Sequence, residues 1–355
     1  MPLVSVVVPF YDRKVWLEEA ADSVLSQTFG DFELILVDDG STEDISTLKA
    51  LTDRRVSLIR QENKGRSAAR NAGARMARGK YVAFLDSDDL FLPTKLEKQV
   101  ALMESDPNVL LSHTSYLRID SCGKTLGEVE SGTFGGNVYP RILVECPIAT
   151  PTVMVRAKLF ETFSFEEKIH VGEDIVLWAR ISQKTSVIGI RQPLSLVRVH
   201  RNSAVYDHHS QIAGFRNVMK YVARHDKRLP LFFRSKQVSR VYVFVAWRLL
   251  EEERRWESIM CLIKGVFGWP LIVLRFSNKW GAPPDFATTL VAAIAPRKYR
   301  TRTVRLVKKD WKAVCHKILA FCRLYTFILC FPIYLLFTNP AEFMRRAKKK
   351  ITRLR

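Results

Sequence analysis

The feature that most constrains the fold is an apolar run that ends in three carboxylates. Residues 81–85 read Tyr-Val-Ala-Phe-Leu, and Asp86, Asp88 and Asp89 follow directly. A strand this apolar is typical of a sheet covered on both faces, where an unpaired negative charge is costly. The carboxylates are therefore expected at the exit of the strand, which in open α/β sheets is where ligands bind.

The spacing of these carboxylates allows two interpretations. In Asp86-Ser87-Asp88 both acids can face one ion, and oxygen ligands suit a hard divalent cation such as Mg²⁺ or Mn²⁺. The alternative is a solvated turn that caps the next helix, because an Asp-x-Asp pattern alone is common. With a metal bound, Asp88 is the predicted direct ligand, Asp86 a supporting one and Asp89 a helix cap.

Predicted strands and helices alternate along the first hundred residues. The strands are expected at 3–10, 32–37, 56–59 and 81–85, and the helices at 14–27, 44–51, 67–77 and 94–105. This alternation predicts a parallel, doubly wound, Rossmann-like sheet. Three strand ends, at Tyr11-Asp12, Asp38-Asp39 and Asp86-Asp88, should then open on one edge of it. Further on, a strand is expected at 152–155, a helix at 172–183 and two or three basic helices within 211–265.

Further polar groups stand at the ends of predicted elements. Asp38 and Asp39 follow the second apolar strand, where they could cap a turn or accept a hydrogen bond from a pyrimidine imide. Glu173 and Asp174 open a predicted helix as dipole-favoured caps or, alternatively, as a general base. His200 is either an ordinary histidine or a ligand for a divalent metal.

The segment 63–73 combines small residues with three cations. Lys64, Arg66 and Arg70 stand near a predicted helix N-terminus, where free N–H groups and cations suit a phosphate. The alternative is a helix that packs closely through alanine and glycine, with its arginines on the solvated face. The glycine spacing matches neither nucleotide-binding fingerprint.

Taken in order, these motifs resemble those of glycosyltransferase family 2, the inverting nucleotide-sugar transferases with the GT-A fold. The resemblance runs from Leu3 to about Ser203. It rests on Ser5–Asp12, Val37–Thr42, Asn63–Gly73, Asp86–Asp88, Glu173-Asp174 and Val197–Ser203. No Gln-x-x-Arg-Trp segment follows Glu173-Asp174, which disfavours a processive polymerase.

The resemblance implies roles for the matched residues. Asp174 is the implied catalytic base, with Glu173 as the less favoured choice, and Asp39 is the implied contact to uracil. Asp88, Asp86 and His200 are implied ligands of Mn²⁺ or Mg²⁺. The remaining implied contacts to the nucleotide-sugar donor are Pro9, Tyr11, Asp12, Gly65, Arg70, Asp86 and Ser87.

Charge divides the chain into two parts. Residues 1–200 carry 24 basic and 27 acidic side chains, a net charge of −3. Residues 201–355 carry 32 basic and 9 acidic side chains, a net charge of +23. Such asymmetry indicates a partner with a negative surface, either anionic lipid or nucleic acid. The aromatic residues of the basic part lie in apolar runs instead of alternating with cations, which favours lipid.

The carboxyl-terminal part has two segments that suit a membrane surface. Residues 318–338 are a 21-residue run with one charge, Arg323, and an internal Pro332. Basic residues flank the run on both sides, which favours a helix lying in the cytoplasmic interface over one crossing the bilayer. Residues 256–276 are a second candidate. Amphipathic helices of a soluble core, and a single span, remain alternatives for these segments.

The sequence therefore predicts a GT-A domain at 1–205, a basic helical region at 206–305 and membrane-associating helices at 306–355. The expected activity is metal-dependent transfer of a sugar from a nucleoside diphosphate, expected to be UDP, to a lipid-linked glycan at the cytoplasmic face of the inner membrane. A homo-oligomer is allowed and no nucleic acid is expected. The six cysteines show no disulfide or zinc pattern, and the start at Met1-Pro2 shows no signal peptide. The alternative is a basic nucleic-acid-binding or scaffold protein with a non-catalytic GT-A-like domain.

Overall fold

The computed structural model describes most of the first 226 residues and one later helix. The described ranges are 1–143, 146–200, 208–226 and 253–268, with Ser239 and the pairs 242–243, 245–246 and 249–250 between the last two. The predicted segment 306–355 lies outside the described residues. So does the apolar run 318–338.

The described residues include nine strands and six α-helices with defined bounds. The strands are β1 Val4–Phe10, β2 Phe32–Asp38, β3 Val56–Arg60, β4 Tyr81–Phe84, β5 Leu90–Phe91, β6 Leu111–Ile119, β7 Thr125–Val129, β8 Met154–Arg156 and β9 Val187–Arg198. The helices are α1 Lys14–Leu25, α2 Arg66–Met76, α3 Lys95–Ser105, α4 Glu173–Ser182, α5 His208–His225 and α6 Arg255–Gly268.

The described strands form one mixed sheet in the order β3-β2-β1-β4-β8-β6-β9-β5, with β7 paired to β6. The first four strands are parallel, as the alternation predicts. The sheet then departs from the parallel prediction, because β8 runs antiparallel to both β4 and β6. β6 and β9 are parallel to each other, and β5 is antiparallel to β9.

Helices cover both faces of the sheet, which confirms the doubly wound GT-A-like α/β architecture. Alternate residues of β1 divide between two cores: Val7 packs with α2 and α4 on one face, and Val6 packs with α1 and α3 on the other. Gly73 has a steric reason to be glycine, since a Cβ there would lie 2.3 Å from a methyl carbon of Val7. α2 therefore packs closely on β1 through its small residues.

One predicted helix is wrong. Residues 44–51 were expected to be helical, but the structure has only a 3₁₀ turn at Lys49–Thr52. The Asp44 side chain accepts a hydrogen bond from the Ser46 backbone N–H at 2.9 Å, which is an Asx turn. Such side-chain bonds offer the backbone an alternative to helical pairing.

Strand register brings the polar loops to one edge. Phe10 of β1 lies opposite Asp38 of β2, and Asp38 lies opposite Arg60 of β3. On the other side, Val7 lies opposite Phe84 of β4. The loops after β1, β2 and β4 therefore leave the sheet side by side, as the sequence predicts.

α6 belongs to a second compact unit of the chain, which begins at Ala246. Inside that unit the Ser258 hydroxyl donates to the Ala246 carbonyl at 2.7 Å. In the described residues, no helix is both long and apolar enough to cross a bilayer.

Candidate active site

Asp88 and His200 come together at the carboxyl edge of the sheet. Oδ2 of Asp88, in the turn after β4, lies 2.9 Å from Nε2 of His200, which follows the end of β9. The imidazole packs on Trp16 of α1, with ring centroids 4.7 Å apart. A guanidinium nitrogen of Arg13 lies 3.4 Å from the same Asp88 oxygen. One carboxylate thus meets an imidazole and a cation.

Asp89 has a different role from the predicted helix cap. Its buried carboxylate accepts a hydrogen bond from the Arg198 backbone N–H at 2.7 Å. The cap prediction is wrong because the short strand β5 follows Asp89 and the next helix begins only at Lys95. Burial, followed by repulsion from Asp88 and Asp86, raises the pKa of Asp89. This carboxylate ties the β4 turn to β9.

Arg70 connects the two acidic motifs. Its side chain is only 2% exposed and its guanidinium pairs with Asp86 on one side and with Glu173, at 2.9 Å, on the other. Burial lowers the pKa of Arg70, but the carboxylates of Asp86 and Glu173 outweigh this and raise it. The alternative of a solvated arginine is therefore wrong for Arg70, whose charge is neutralised inside the domain.

Glu173 and Asp174 are adjacent but differ in their surroundings. Glu173 is buried and also pairs with Arg66 at 2.8 Å, so two guanidinium groups hold its carboxylate. Asp174 is half-buried and accepts the Ile175 backbone N–H at 2.8 Å. The Thr150 hydroxyl lies 3.5 Å from the other oxygen of Asp174.

The pKa of Asp174 is raised to about 6 by burial and then by the negative charge of Glu173. A carboxylate with a pKa this high is a much better proton acceptor than an exposed aspartate. The two arginines near Glu173 lower the pKa of Asp174 only in part. Of the two acids, Asp174 therefore has the properties of a general base, and Glu173 those of an ion-pair partner.

Asp39 organises the loop that leads into α2. One of its oxygens accepts the Gln61 side-chain N–H at 2.8 Å and the Lys64 backbone N–H at 2.9 Å. The other accepts the Gly65 backbone N–H at 2.8 Å. Gly40 permits this close packing, since its φ is 84° and a Cβ would lie 2.9 Å from the Asn63 backbone nitrogen. Asp39 and Gly65, each of which the resemblance assigns to a donor contact, thus meet at the sheet edge.

The loop after β1 is clamped to the loop after β2. Asp12 accepts the backbone N–H groups of Glu43 at 3.0 Å and Thr42 at 2.7 Å, and the Glu43 bond is the main reason that the pKa of Asp12 is lowered. Both Asp12 and Arg13 have left-handed backbones, with φ of 55° and 63°. Strained non-glycine conformations of this kind concentrate at functional sites.

The other predicted donor contacts border the same edge. Pro9 is a buried residue of β1 opposite Val37. Tyr11 is 45% exposed just beyond that strand, and Ser87 lies in the turn between the two predicted metal ligands. Their positions suit contact with a ligand at the edge, and their roles stay predictions.

A divalent cation suits Asp88 and His200 better than Asp86. Mg²⁺ typically takes one or two protein carboxylates and completes its shell with water and substrate phosphates, and imidazole is a common ligand of transition metals. Asp86 is already paired with Arg70. Among the described residues, no cluster of three or more His, Cys, Asp or Glu side chains is placed to hold a metal. The donor set therefore fits a cation that shares its shell with a diphosphate.

Arg13, Trp16 and Arg198 also belong to this region, although the motifs assign no role to them. The Arg13 and Arg198 guanidinium carbons lie 5.8 and 5.4 Å from the Trp16 ring centroid. The sequence could have indicated Arg198, because it stands two positions before His200 and residues two apart on a strand point to the same face. Nothing in the sequence pattern indicates Trp16 or Arg13.

Comparisons with known proteins agree with this architecture. Residues 5–143 match the family model for glycosyl transferase family 2. An uncharacterized glycosyltransferase of Rickettsia felis is 46% identical over 222 residues, which are 62% of this chain and 37% of that protein. The chain therefore spans little more than a third of the length of that relative.

Two further similarities cover more of the compared protein. The Escherichia coli UDP-Glc:alpha-D-GlcNAc-diphosphoundecaprenol beta-1,3-glucosyltransferase WfaP is 31% identical over 247 residues, which are 66% of this chain and 92% of that one. The crystal structure of S. aureus TarS 1-349 in complex with UDP-GlcNAc matches the fold with a TM-score of 0.55 and 16% identity, over 88% of this chain and 92% of that one. The ordered acidic motifs, the mixed doubly wound sheet and a relative matched over nearly its whole length lead to one conclusion: the chain belongs to glycosyltransferase family 2.

Proposed function

We propose that this protein is a metal-dependent inverting glycosyltransferase that moves a sugar from UDP to a hydroxyl group of a lipid-linked glycan. The observation that carries this proposal is the half-buried Asp174, whose pKa of about 6 makes it a proton acceptor near neutral pH. Its neighbour Glu173 is committed to Arg66 and Arg70. Family membership supports the reaction class.

In the proposed reaction Asp174 accepts the proton of the acceptor hydroxyl. The hydroxyl oxygen bonds to the anomeric carbon from the face opposite the nucleotide, while the bond from that carbon to the diphosphate oxygen breaks. UDP leaves, and the configuration at the anomeric carbon is inverted in this single displacement. The Asp174 proton then passes to solvent, which restores the base.

Asp88 and His200 would hold the divalent cation, with Asp86 in support. When bound, the cation would neutralise the negative charge that develops on the departing diphosphate. The turn carrying Asp88 is fixed by Asp89, which bonds to β9. Arg13, within 3.4 Å of Asp88, adds a cation that is suitably placed for a phosphate oxygen.

The donor and acceptor are inferred from a relative and from local contacts. WfaP is named for UDP-Glc as donor and a GlcNAc-diphosphoundecaprenol as acceptor. In this chain the Asp39 carboxylate lies beside the Asn63–Gly65 loop, whose Lys64 and Gly65 N–H groups it accepts, and this position supports the proposed contact to uracil. A UDP-sugar and a polyprenyl-diphosphate glycan are therefore the substrate classes that we assign.

A membrane location is part of the same proposal. We keep the predicted division of the chain into regions 1–205, 206–305 and 306–355. α6 presents Trp256, Met260 and Ile263, which are 72%, 38% and 42% exposed and share one helical face. Tryptophan favours the membrane interface, and the +23 charge of residues 201–355 complements anionic headgroups. We assign this apolar ridge to the cytoplasmic surface of the inner membrane.

Vesicle sedimentation tests the membrane assignment. The full chain should pellet with phosphatidylglycerol-containing vesicles. Trp256→Ala combined with Ile263→Ala removes apolar contacts with the lipid, so part of this variant should be released from the vesicles in 0.5 M salt. Leu58→Ala combined with Leu126→Ala is the matched control, since both leucines are exposed on the sheet. Equal release by the two double variants would contradict the role of the ridge.

A panel of UDP-sugars tests the activity. We expect hydrolysis or transfer of at least one sugar with Mn²⁺ or Mg²⁺, loss of turnover in EDTA and loss in both Asp88→Ala and Asp174→Asn. Arg156→Lys is the control, because Arg156 lies opposite Tyr81 at the start of β4, at the far edge of the described sheet from Asp88, and the substitution leaves the proposed catalytic groups unchanged. Near-wild-type turnover by either aspartate variant would remove the corresponding role.

A further inference from the structure

Arg198, the last residue of β9, makes hydrogen bonds to four residues in three parts of the domain. Its backbone N–H donates to the Asp89 carboxylate at 2.7 Å and its Nε donates to the Asp88 main-chain oxygen at 2.8 Å. One terminal nitrogen donates to the Ser121 carbonyl at 3.1 Å, and the other to the Glu19 carboxylate at 2.6 Å. The Arg198 side chain is 3% exposed.

These contacts hold the chain at Asp88 and at the next residue, Asp89. The carbonyl of Asp88 is held by the guanidinium, and the next residue, Asp89, is held by the Arg198 amide. Two positions along the chain from Arg198 stands His200, whose ring lies 2.9 Å from the Asp88 carboxylate. One residue therefore restrains the two groups that would share a cation.

The same guanidinium connects these groups to α1. Glu19 accepts its hydrogen bond, and the guanidinium carbon lies 5.4 Å from the Trp16 ring centroid. Trp16 also packs on the imidazole of His200. The orientation of His200 and the position of Asp88 thus depend on a common support formed by α1 and Arg198.

We propose that Arg198 is a positioning residue for the cation-binding pair, holding the Asp88 carboxylate and the His200 imidazole in the arrangement that receives a divalent ion and the donor diphosphate. Arg198 acts through the Asp88 backbone and through α1, and it does not itself touch the substrate. This inference rests on the proposed function of Asp88 and His200.

Arginine is required by the geometry of the acceptors. Three separate nitrogens of its planar fork reach Asp88, Ser121 and Glu19. A lysine keeps the charge but has one terminal nitrogen, so it cannot span the same three oxygens. Arg198→Lys is therefore expected to leave a folded domain in which the backbone bond to Asp89 remains but the Asp88 main-chain oxygen loses its guanidinium partner.

Arg156 offers a matched control for the cost of removing a buried arginine. It is also buried, and it donates to the main-chain oxygens of Val109 at 2.9 Å, Met103 at 2.7 Å and Asp106 at 3.2 Å. It also donates to the Tyr81 hydroxyl at 3.3 Å. These acceptors lie at the end of α3, in the loop that follows and at the start of β4, and none of them belongs to the proposed site. Arg156→Lys should lower stability without altering the cation-binding pair.

The experiment measures Mn²⁺ binding by electron paramagnetic resonance in the presence of UDP, kcat and KM for the donor, and hydrogen exchange of residues 86–92. Arg198→Lys should weaken Mn²⁺ binding by roughly 10- to 100-fold and lower kcat, because partners that orient metal ligands contribute on that scale. Exchange at 86–92 should accelerate. Arg156→Lys should match the wild type in all three measurements, after correction for the folded fraction.

Two results would overturn the proposal: equal Mn²⁺ affinities in the two lysine variants, or unchanged exchange at 86–92 in Arg198→Lys. If Arg198→Lys fails to fold, Glu19→Gln replaces it, since Glu19 is 46% exposed and the substitution keeps Arg198. That variant should bind Mn²⁺ about two- to fivefold more weakly, as expected for a partly exposed ion pair, and unchanged binding would refute the role. A wild type that binds no Mn²⁺ would instead refute the proposed metal site, whereas the exchange measurement would still report on Arg198.

Discussion

The pH dependence of turnover gives a direct test of Asp174 as the base. With a pKa of about 6, about one in eleven Asp174 carboxyl groups is ionised at pH 5, against about ten in eleven at pH 7. At the ordinary value of 3.8, about 94% would be ionised at pH 5. Activity that requires the ionised form should therefore fall about tenfold from pH 7 to pH 5.

A substitution at Glu173 identifies the group that titrates. The negative charge of Glu173 is the second cause of the raised pKa, after burial. Glu173→Gln removes that charge and leaves the positive charges of Arg66 and Arg70 nearby, so both effects move the pKa of Asp174 downward. Any such decrease raises the ionised fraction at pH 5 above one in eleven, and a full return to 3.8 would raise the activity at pH 5 by about tenfold.

The assay is kcat/KM for UDP-glucose, or whichever UDP-sugar the protein consumes, between pH 5 and pH 8 with saturating Mn²⁺. UDP binding measured over the same range is the control, because it reports pH-dependent changes in donor and metal binding that do not involve the base. In Glu173→Gln the acidic limb of the kcat/KM profile should move to lower pH, while the pH dependence of UDP binding should stay as in the wild type. An acidic limb that does not move would refute Asp174 as the titrating base.

Three further predictions concern the same groups and one buried lysine. Because the folded-state pKa of Asp174 is raised, stability falls as the pH rises from 3.8 through 6. Asp174→Asn should abolish turnover yet raise the free energy of unfolding at pH 7.5 by at most about 3 kcal/mol, seen as a higher melting temperature, with little gain at pH 4. Asp88→Ala should lose Mn²⁺ binding in the presence of UDP, and wild-type binding measured by paramagnetic resonance would contradict its role. Burial lowers the pKa of Lys95 to about 7, so stability should rise between pH 7 and pH 10.5 as the unfolded chain holds the extra proton. Lys95→Met should stabilise the protein at pH 7 by on the order of 4 kcal/mol in denaturant unfolding and flatten that rise, and a destabilised variant would show that its bond to Gln99 matters more.

The parallel half of the sheet could be predicted because its strands are uniformly apolar and end in polar residues. Asp39 and Asp88 both stand where an apolar run stops, and register then places their loops on one edge. The antiparallel insertion of β8 could not be predicted in this way. A three-residue strand, Met154–Arg156, has too short a pattern to reveal its direction or its neighbours.

The partners of the charged residues were less predictable than their positions. The motif order pairs Glu173 with Asp174, but only the fold shows that Arg66 and Arg70 neutralise Glu173, which favours Asp174 as the proposed base. Asp89 resembles a helix cap because it precedes an apolar run, whereas the structure bonds it to Arg198, more than a hundred positions away. Contacts of such separation depend on topology, which local pattern does not specify.

The stereochemistry of the product tests the proposed reaction most directly. The purified full chain is incubated with Mn²⁺, a GlcNAc-diphosphate lipid and, in turn, UDP-glucose, UDP-galactose and UDP-N-acetylglucosamine, and the anomeric proton of the product is observed by NMR. An α-linked donor should give a β-linked product in the wild type and no product in Asp174→Asn. An α-linked product, or β-linked product formed equally by Asp174→Asn, would contradict the single displacement with Asp174 as base.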